Sequence, residues 1–449
     1  MLAILGFITV IAMLVLVMTK KASPAVALIG VPVITGILAS FFIQNEEGIV
    51  NTLDNIIGLG GMISSGISTV AATGVMFIFS ILFFGVLTDA GTFRPIIKGI
   101  LGVIGVDPVK IALGTAILAM IVHLDGSGAV TFLICIPALL PVYDAVGMKR
   151  TTLATITALS AGTMNIVPWG GPTIRAATAM NINVMELFSP VIPALVCGLI
   201  TVLVFAFLLG NAEKKRIGSI ALAGISQRNE ELSDEQKALL RPKLFGVNVV
   251  LIILTIVGLI GGGHLSIGPA VVFMLAFVLA IVINYPSPKI QKERVDAHAK
   301  SAIMMASVLF AAGAFTGIMK GTGMITEMAT TLVAIIPSSM ARFFPVITGV
   351  IAMPASLLFD PDSFYFGVLP VLGNTAAGLG VEAVNVARAA ILGQMTTGFP
   401  VSPLTPATFL LVGLSGVEFG EHQKKTIPLA FAVSIVMLIV CLVTGVIHI

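Results

Sequence analysis

NIVPWGGPTIRAATA (165–179) sets two prolines, two glycines and an arginine inside a stretch otherwise apolar enough to cross a membrane. Proline lacks the N–H that a helix needs, and its ring clashes with the turn before it. A helix entering from 151 therefore stops near Pro168 and restarts beside Pro172. In hydrocarbon the freed N–H and C=O groups find no water, so such a break is tolerated only against protein or a watery cavity. QMTTGFPVSPLTPATF (394–409) carries the same device, with Pro400, Pro403 and Pro406, and Pro168 and Pro400 are 232 residues apart.

That separation recurs. FFGVLTDAGTF (83–93) matches FTGIMKGTGMI (315–325), with Gly85 and Gly91 falling on Gly317 and Gly323 at the same offset of 232, while Pro137 and Pro370 lie 233 apart. SPAVALIGVPV (23–33) pairs with GPAVVFMLAFV (268–278) at 245, the longer connection at 44–65 absorbing the difference. Two halves, 1–210 and 244–449, thus flank a polar cytosolic linker at 211–243, whose ELSDEQKALL stretch reads as a short surface helix.

Composition places this repeat in lipid. Hydrophobic residues make up 57% of the 449 positions and charged residues 10%, with a mean hydropathy of +1.10. A soluble domain needs roughly a quarter of its residues charged. Three cysteines in apolar runs give neither a disulfide framework nor metal-ligand spacing. The apolar run 2–18 lacks a basic leader and a small-residue cleavage site, so it reads as a retained span. Expected spans are 2–19, 24–43, 66–88, 151–180 (interrupted), 187–210, 244–262, 266–284, 301–319, 387–415 (interrupted) and 427–447. Two more apolar stretches, 108–141 and 343–378, hold Gly, Pro and Asp in their middles and read as re-entrant hairpins.

Charge orients the chain. With both termini outside, the cytoplasmic loops 20–23, 89–110, 144–150, 211–243, 285–300 and 416–426 carry 20 of the 24 Lys and Arg residues, the asymmetry of the positive-inside rule. Basic residues at 289–300 suit a segment lying along the inner membrane surface, and none of the basic stretches calls for nucleic acid. The fold expected is an all-α polytopic membrane protein of two repeats, each of five spans and one hairpin. An odd number of crossings inverts the second repeat, and this architecture belongs to transporters that bind substrate at the midplane.

Four polar segments mark that midplane: HLDGSGAVTF (123–132), the two breaks, and FDPDSFYFGVLP (359–370). Half-helices restarting at the breaks aim positive dipole ends inward, which suits a carboxylate. Gly170 and Gly171 supply backbone there, and Ser127, Thr131, Thr163, Asn165, Thr173, Ser363, Thr396, Thr397, Ser402 and Thr405 supply neutral hydrogen-bonding groups. Arg175 either forks onto a substrate carboxylate or reaches for the outer interface. Asp125, Asp360 and Asp362 are intramembrane carboxylates, for which function is the default reading and helix capping the plain one. His123 either shares a proton with Asp125 or is a packed core histidine. Trp169 reads as packing beside the break, and Asp89 and Lys320 as marking interfaces.

LDGSG (124–128), MNIVPWGGPTIRAATA (164–179), PDSFYFGVLP (361–370) and SPLTPATFLLVGLSGVEFGEHQ (402–423) resemble the citrate–metal:proton symporter family, CitMHS, of the ion transporter superfamily. Members of that family tend to carry a second acid where this chain has Ser127. The resemblance implies proton-driven uptake of citrate as a complex with a divalent cation such as Mg or Ca, in a bacterial cytoplasmic membrane. It implies no cofactor, a homodimer, and an enclosing lipid bilayer. Asp125 and Asp362 are the expected metal ligands. Asp125, Asp362, Asp360 and His123 are the expected proton carriers. A carrier of gluconate or a dicarboxylate, coupled to protons or sodium, stays open, as does an intramembrane hydrolase built on paired aspartates.

Overall fold

The computed structural model describes residues 1–19, 21–43, 49–218, 234–261, 267–335 and 338–448, and among them regular structure is entirely helical. The first half runs α1 (Leu2–Met18), α2 (Pro24–Ala39), α3 (Thr52–Asp89), α4 (Phe93–Ile104), α5 (Pro108–Val122), α6 (Gly128–Val146), α7 (Arg150–Met164), α8 (Gly171–Met180), α9 (Val184–Phe188) and α10 (Ile192–Ile217). α11 (Asp234–Leu239) comes next in the linker, where 219–233 lie outside the described residues. The second half runs α12 (Phe245–Gly261), α13 (Pro269–Asn284), α14 (Pro288–Gly321), α15 (Met324–Ile335), α16 (Phe344–Ala355), α17 (Leu369–Gly378), α18 (Ala383–Ile391), α19 (Pro406–Ser415) and α20 (Phe419–Val443). Apart from α9 and α11, each element of one half has its counterpart in the other. The expected class, an all-α polytopic chain with a hairpin and an interrupted span in each half, is observed.

Several boundaries differ from expectation. α3 begins at Thr52, not 66, and has 38 residues; α14 begins at Pro288, not 301, and has 34. At roughly 1.5 Å per residue both exceed the ~30 Å hydrocarbon core. The basic stretch 289–300 is therefore not a separate surface segment but the first turns of α14. Pro288 opens that helix at N1, and Lys, Glu, Gln and Arg are good helix formers. α4 and α15, 12 residues each, occupy matching places that the expected spans omitted. Among the described residues seven helices are individually long and apolar enough to cross a membrane, two of them built on the arms of the first hairpin. The remaining crossings use shorter or broken helices.

α3 and α14 cross at the centre. A Cβ on Gly66 would stand 2.0 Å from the Gly313 carbonyl oxygen, and one on Gly317 would stand 2.3 Å from that of Met62 and 3.1 Å from Gly66 Cα. Backbone meets backbone here, as small residues allow between membrane helices. A Cβ on Gly85 would likewise stand 2.7 Å from the His298 ring. Adding 232 to the pair Gly317–Gly66 in one direction and subtracting it in the other returns Gly85–His298, so the helices meet through equivalent contacts, as a two-fold relation between halves requires. α2 and α13 flank this crossing, while the hairpins, broken spans, α10 and α20 pack among themselves. α8 lies between the two groups, touching α3 and α14 on one side and α17 and α18 on the other.

Candidate functional site

The tip of the first hairpin is a tight turn. α5 ends in a 3-10 turn over His123–Asp125, Gly126 takes φ +75°, and Ser127 caps α6 by accepting from Val130 N at 3.3 Å. Asp125 Oδ1 accepts from Ser127 N at 2.8 Å, and Oδ2 has no donor among the described residues. Gly126 leaves room for Trp169, which donates Nε1–H to Leu124 O at 2.7 Å and packs on Phe84 and Phe273. The tryptophan thus seals the hairpin against the break, the packing role expected for it.

His123 is fully buried and does not hydrogen-bond Asp125. Its Nδ1 lies 2.8 Å from Thr131 Oγ1 and its Nε2 3.3 Å from Asn165 Oδ1. Asn165 in turn donates to Met395 O at 2.7 Å, which turns its oxygen toward the ring. The Thr131 hydroxyl has one proton and two acceptors, Ser127 O at 2.8 Å and the imidazole. A neutral ring with its hydrogen on Nε2 accepts the hydroxyl's hydrogen bond at Nδ1, and a protonated ring donates there and leaves the hydroxyl to Ser127 O. One chain of contacts thereby ties the first hairpin to both breaks.

The second hairpin divides its two acids. Asp360 accepts from Asp362 N (3.0 Å) and Ser363 N (3.1 Å) through Oδ1 and from the Ser363 hydroxyl (2.5 Å) through Oδ2. Its side chain thus caps the chain where it enters the π-helical turn Ser363–Val368. Asp362 instead accepts from Arg175 Nε at 2.7 Å, both side chains only about a tenth exposed (11% and 10%). Arg175 therefore does not reach for the outer interface. It faces a cleft lined by Phe77, Ile174, Val308, Leu309 and Phe366, where the α3–α14 crossing meets α8 and the π-turn.

Most hydroxyls expected to face substrate are bonded within the protein instead. Thr163 donates to Leu159 O, Thr173 to Ile166 O, Ser402 to Ser356 O and Thr405 to Phe399 O, all within 2.5–2.8 Å. Thr173 and Thr405 thereby cover carbonyls in the breaks that lipid cannot satisfy, while Thr163 bonds back within α7. Thr396 and Thr397 are the exception, both hydroxyls buried and without a partner among the described residues. Neither Gly170, before α8, nor Thr405, before α19, caps its helix with a side chain, so both restarts keep free N–H groups. Sequence reading missed Ser356, Gln394 and Tyr365. Ser356 bonds Gln394 and receives Met395 N at 2.9 Å, and the Tyr365 hydroxyl donates to Gln394 O at 2.6 Å. A glutamine in an otherwise apolar stretch was the available signal. His422 was also missed; it is buried, with Nε2 2.8 Å from Pro400 O.

A citrate transporter family model, CitMHS, matches residues 2–393. The chain belongs to the CitMHS family. Two proteins of Bacillus subtilis (strain 168) align over the whole of both chains: one named citrate transporter, 41% identical over 448 residues, and one named Mg(2+)/citrate complex secondary transporter, 39% identical over 449. In fold the CitMHS chain is like the Alcanivorax borkumensis YdaH transporter (TM-score 0.61, 12% identity, covering 94% of this chain and 96% of that one). It is also like Neisseria gonorrhoeae MtrF (TM-score 0.62, 11% identity, 93% and 94%). Family membership makes this an integral membrane transporter and sets aside the hydrolase reading.

No three His, Cys, Asp or Glu side chains come together as a metal site among the described residues. Asp125 and Asp362, the expected metal ligands of this CitMHS member, lie on different hairpins, and Asp362 already has a cation.

Proposed function

We propose that the chain is a proton-coupled carrier that takes up citrate as a complex with a divalent cation across the bacterial cytoplasmic membrane. The observation that carries this reading is the buried Arg175–Asp362 pair at the cleft. Arg175 offers a carboxylate a guanidinium, and Asp362 offers a cation a carboxylate, so one site suits both parts of such a complex. Free N–H groups at the starts of α8 and α19 add positive potential for the remaining carboxylates. The full-length likeness to a Mg(2+)/citrate transporter supports the same substrate. Asp125 is the favoured proton carrier, with one oxygen uncommitted beside the His123–Thr131 relay. The repeats are read as inverted, the termini as outside, and the working unit as a homodimer in lipid.

Uptake of radiolabelled citrate into vesicles tests this, with each divalent ion added in turn and the proton gradient imposed or collapsed. Uptake that needs both the ion and the gradient supports the proposal. Uptake indifferent to the ion favours a plain organic-acid carrier. Sodium in place of the proton is the second reading, and the unpartnered hydroxyls of Thr396 and Thr397 favour it; a sodium gradient imposed alone would then drive accumulation.

A further inference from the structure

A carboxylate that approaches Arg175 meets Asp362 already there. The pair joins α8 of the first half to the hairpin tip of the second through a single bond, Nε to Oδ1 at 2.7 Å. Arg175 uses one of its donors in this way; its two terminal nitrogens have no acceptor among the described residues. A Cβ on Gly171 would stand 2.7 Å from Nη1, so glycine there lets the guanidinium lie against the first turn of α8. Its unpartnered terminal N–H groups are the donors that an incoming carboxylate would engage as Asp362 leaves.

The outcome of that encounter depends on where Asp362 goes. Asp360, its neighbour, is an acid with both oxygens committed to the turn. The cleft walls beside Arg175 are Phe77, Ile174, Val308, Leu309 and Phe366, none of which offers a side-chain donor. Among the described residues no second cation pairs with Asp362. An acid arriving alone would take the guanidinium and strand a buried carboxylate without a partner, the costly way to open an ion pair. An acid arriving with its own divalent cation exchanges partners, its carboxylate pairing with Arg175 and its cation with Asp362. Two attractive contacts replace one, and neither charge is stranded.

We infer that the Arg175–Asp362 pair is the specificity filter of the site, opened by a polycarboxylate that carries a divalent cation and kept shut against the same acid alone. This rests on the substrate reading above and adds the residue pair that enforces it. Asp362 is here a specificity-determining residue, not a structural strut.

Equilibrium binding of radiolabelled citrate to the purified full-length protein tests the filter, once with excess Mg²⁺ and once with a chelator. Wild-type protein should bind the magnesium complex far more tightly than free citrate. In Asp362→Asn the group left behind is neutral, and the preference for the complex should shrink by roughly a hundredfold. Should the Asn variant fail to fold, Asp362→Glu keeps the charge and should keep the preference at weaker affinity. An Asn variant as selective as wild type, or a Glu variant that binds free citrate as well as the complex, overturns the filter and leaves the substrate reading standing. Wild-type protein that binds both forms equally also overturns the filter while remaining an organic-acid carrier. Wild-type protein that binds neither form overturns both.

Discussion

Asp360 and Asp362 stand two residues apart on one tip and do different work. Asp360 spends both oxygens on its own turn, so Asp360→Asn should cost stability, on the order of 1 kcal/mol for a weakened cap, while transport by folded protein persists. Thermal unfolding in detergent beside an uptake assay would separate the two effects. Asp125 caps through Oδ1 alone, and an asparagine can still accept there, so Asp125→Asn removes the proton-carrying capacity and little else. Net uptake driven by a pH gradient should collapse in that variant, while exchange of internal for external substrate survives because it needs no net proton movement. Full pH-driven accumulation would reduce Asp125 to a cap. Arg175→Lys keeps the charge but loses the planar fork that engages Asp362 and a carboxylate together. Its apparent affinity for the complex should fall by about tenfold or more at unchanged expression; an unaltered affinity would make the guanidinium dispensable.

At the scale of elements, the crossing of α3 and α14 is where sequence reading fell furthest short. The first turns of α3, TLDNIIGLGGMISS (52–65), hold polar residues and glycines that lower helix propensity and hydropathy together. They read as a connection. The helix nevertheless runs through them into the crossing at Gly66, where backbone contact with Gly313 and Gly317 is possible only without side chains; Gly58, Gly60 and Gly61 have open space at their Cβ positions. Gly66→Val should therefore destabilise the protein by about 1–3 kcal/mol through overpacking, lowering its thermal midpoint in detergent, whereas Gly61→Val, with open space at its Cβ, should leave the midpoint within a degree or two of wild type on a scale where about 1 kcal/mol moves a large domain by ~2–4 °C. Equal midpoints for the two variants would dissolve the tight crossing. The hairpins and breaks, by contrast, were legible, since each is written in local proline, glycine and aspartate.

For the molecule as a whole, orientation rests on loop charge and is open to a direct test. In a cysteine-free background, a cysteine at Glu382, between α17 and α18, should react in intact cells with an impermeant thiol reagent added outside. One at Lys292, on the exposed early turns of α14, should not. Labelling at Lys292 would reverse the chain in the membrane and with it the inverted reading of the repeats. The end of the crossing that holds Asp89 has its own ties, Asp89 receiving His298 Nε2 at 2.9 Å and Arg294 Nη1 at 3.3 Å.

By itself the sequence determined that the chain lies in lipid, that it is doubled, and where its helices break, because hydropathy, an offset of 232 and proline chemistry act over short or regular distances along the chain. Tertiary structure alone decided what each polar residue does. Asp360 became a cap and Asp362 an ion-pair partner although they share one motif, because the partner that separates them, Arg175, is 187 residues away from Asp362. His123 turned from Asp125 toward Asn165, and most hydroxyls turned to partners within the protein. Which buried donor meets which acceptor depends on how hairpins and half-helices pack, and no local pattern encodes that.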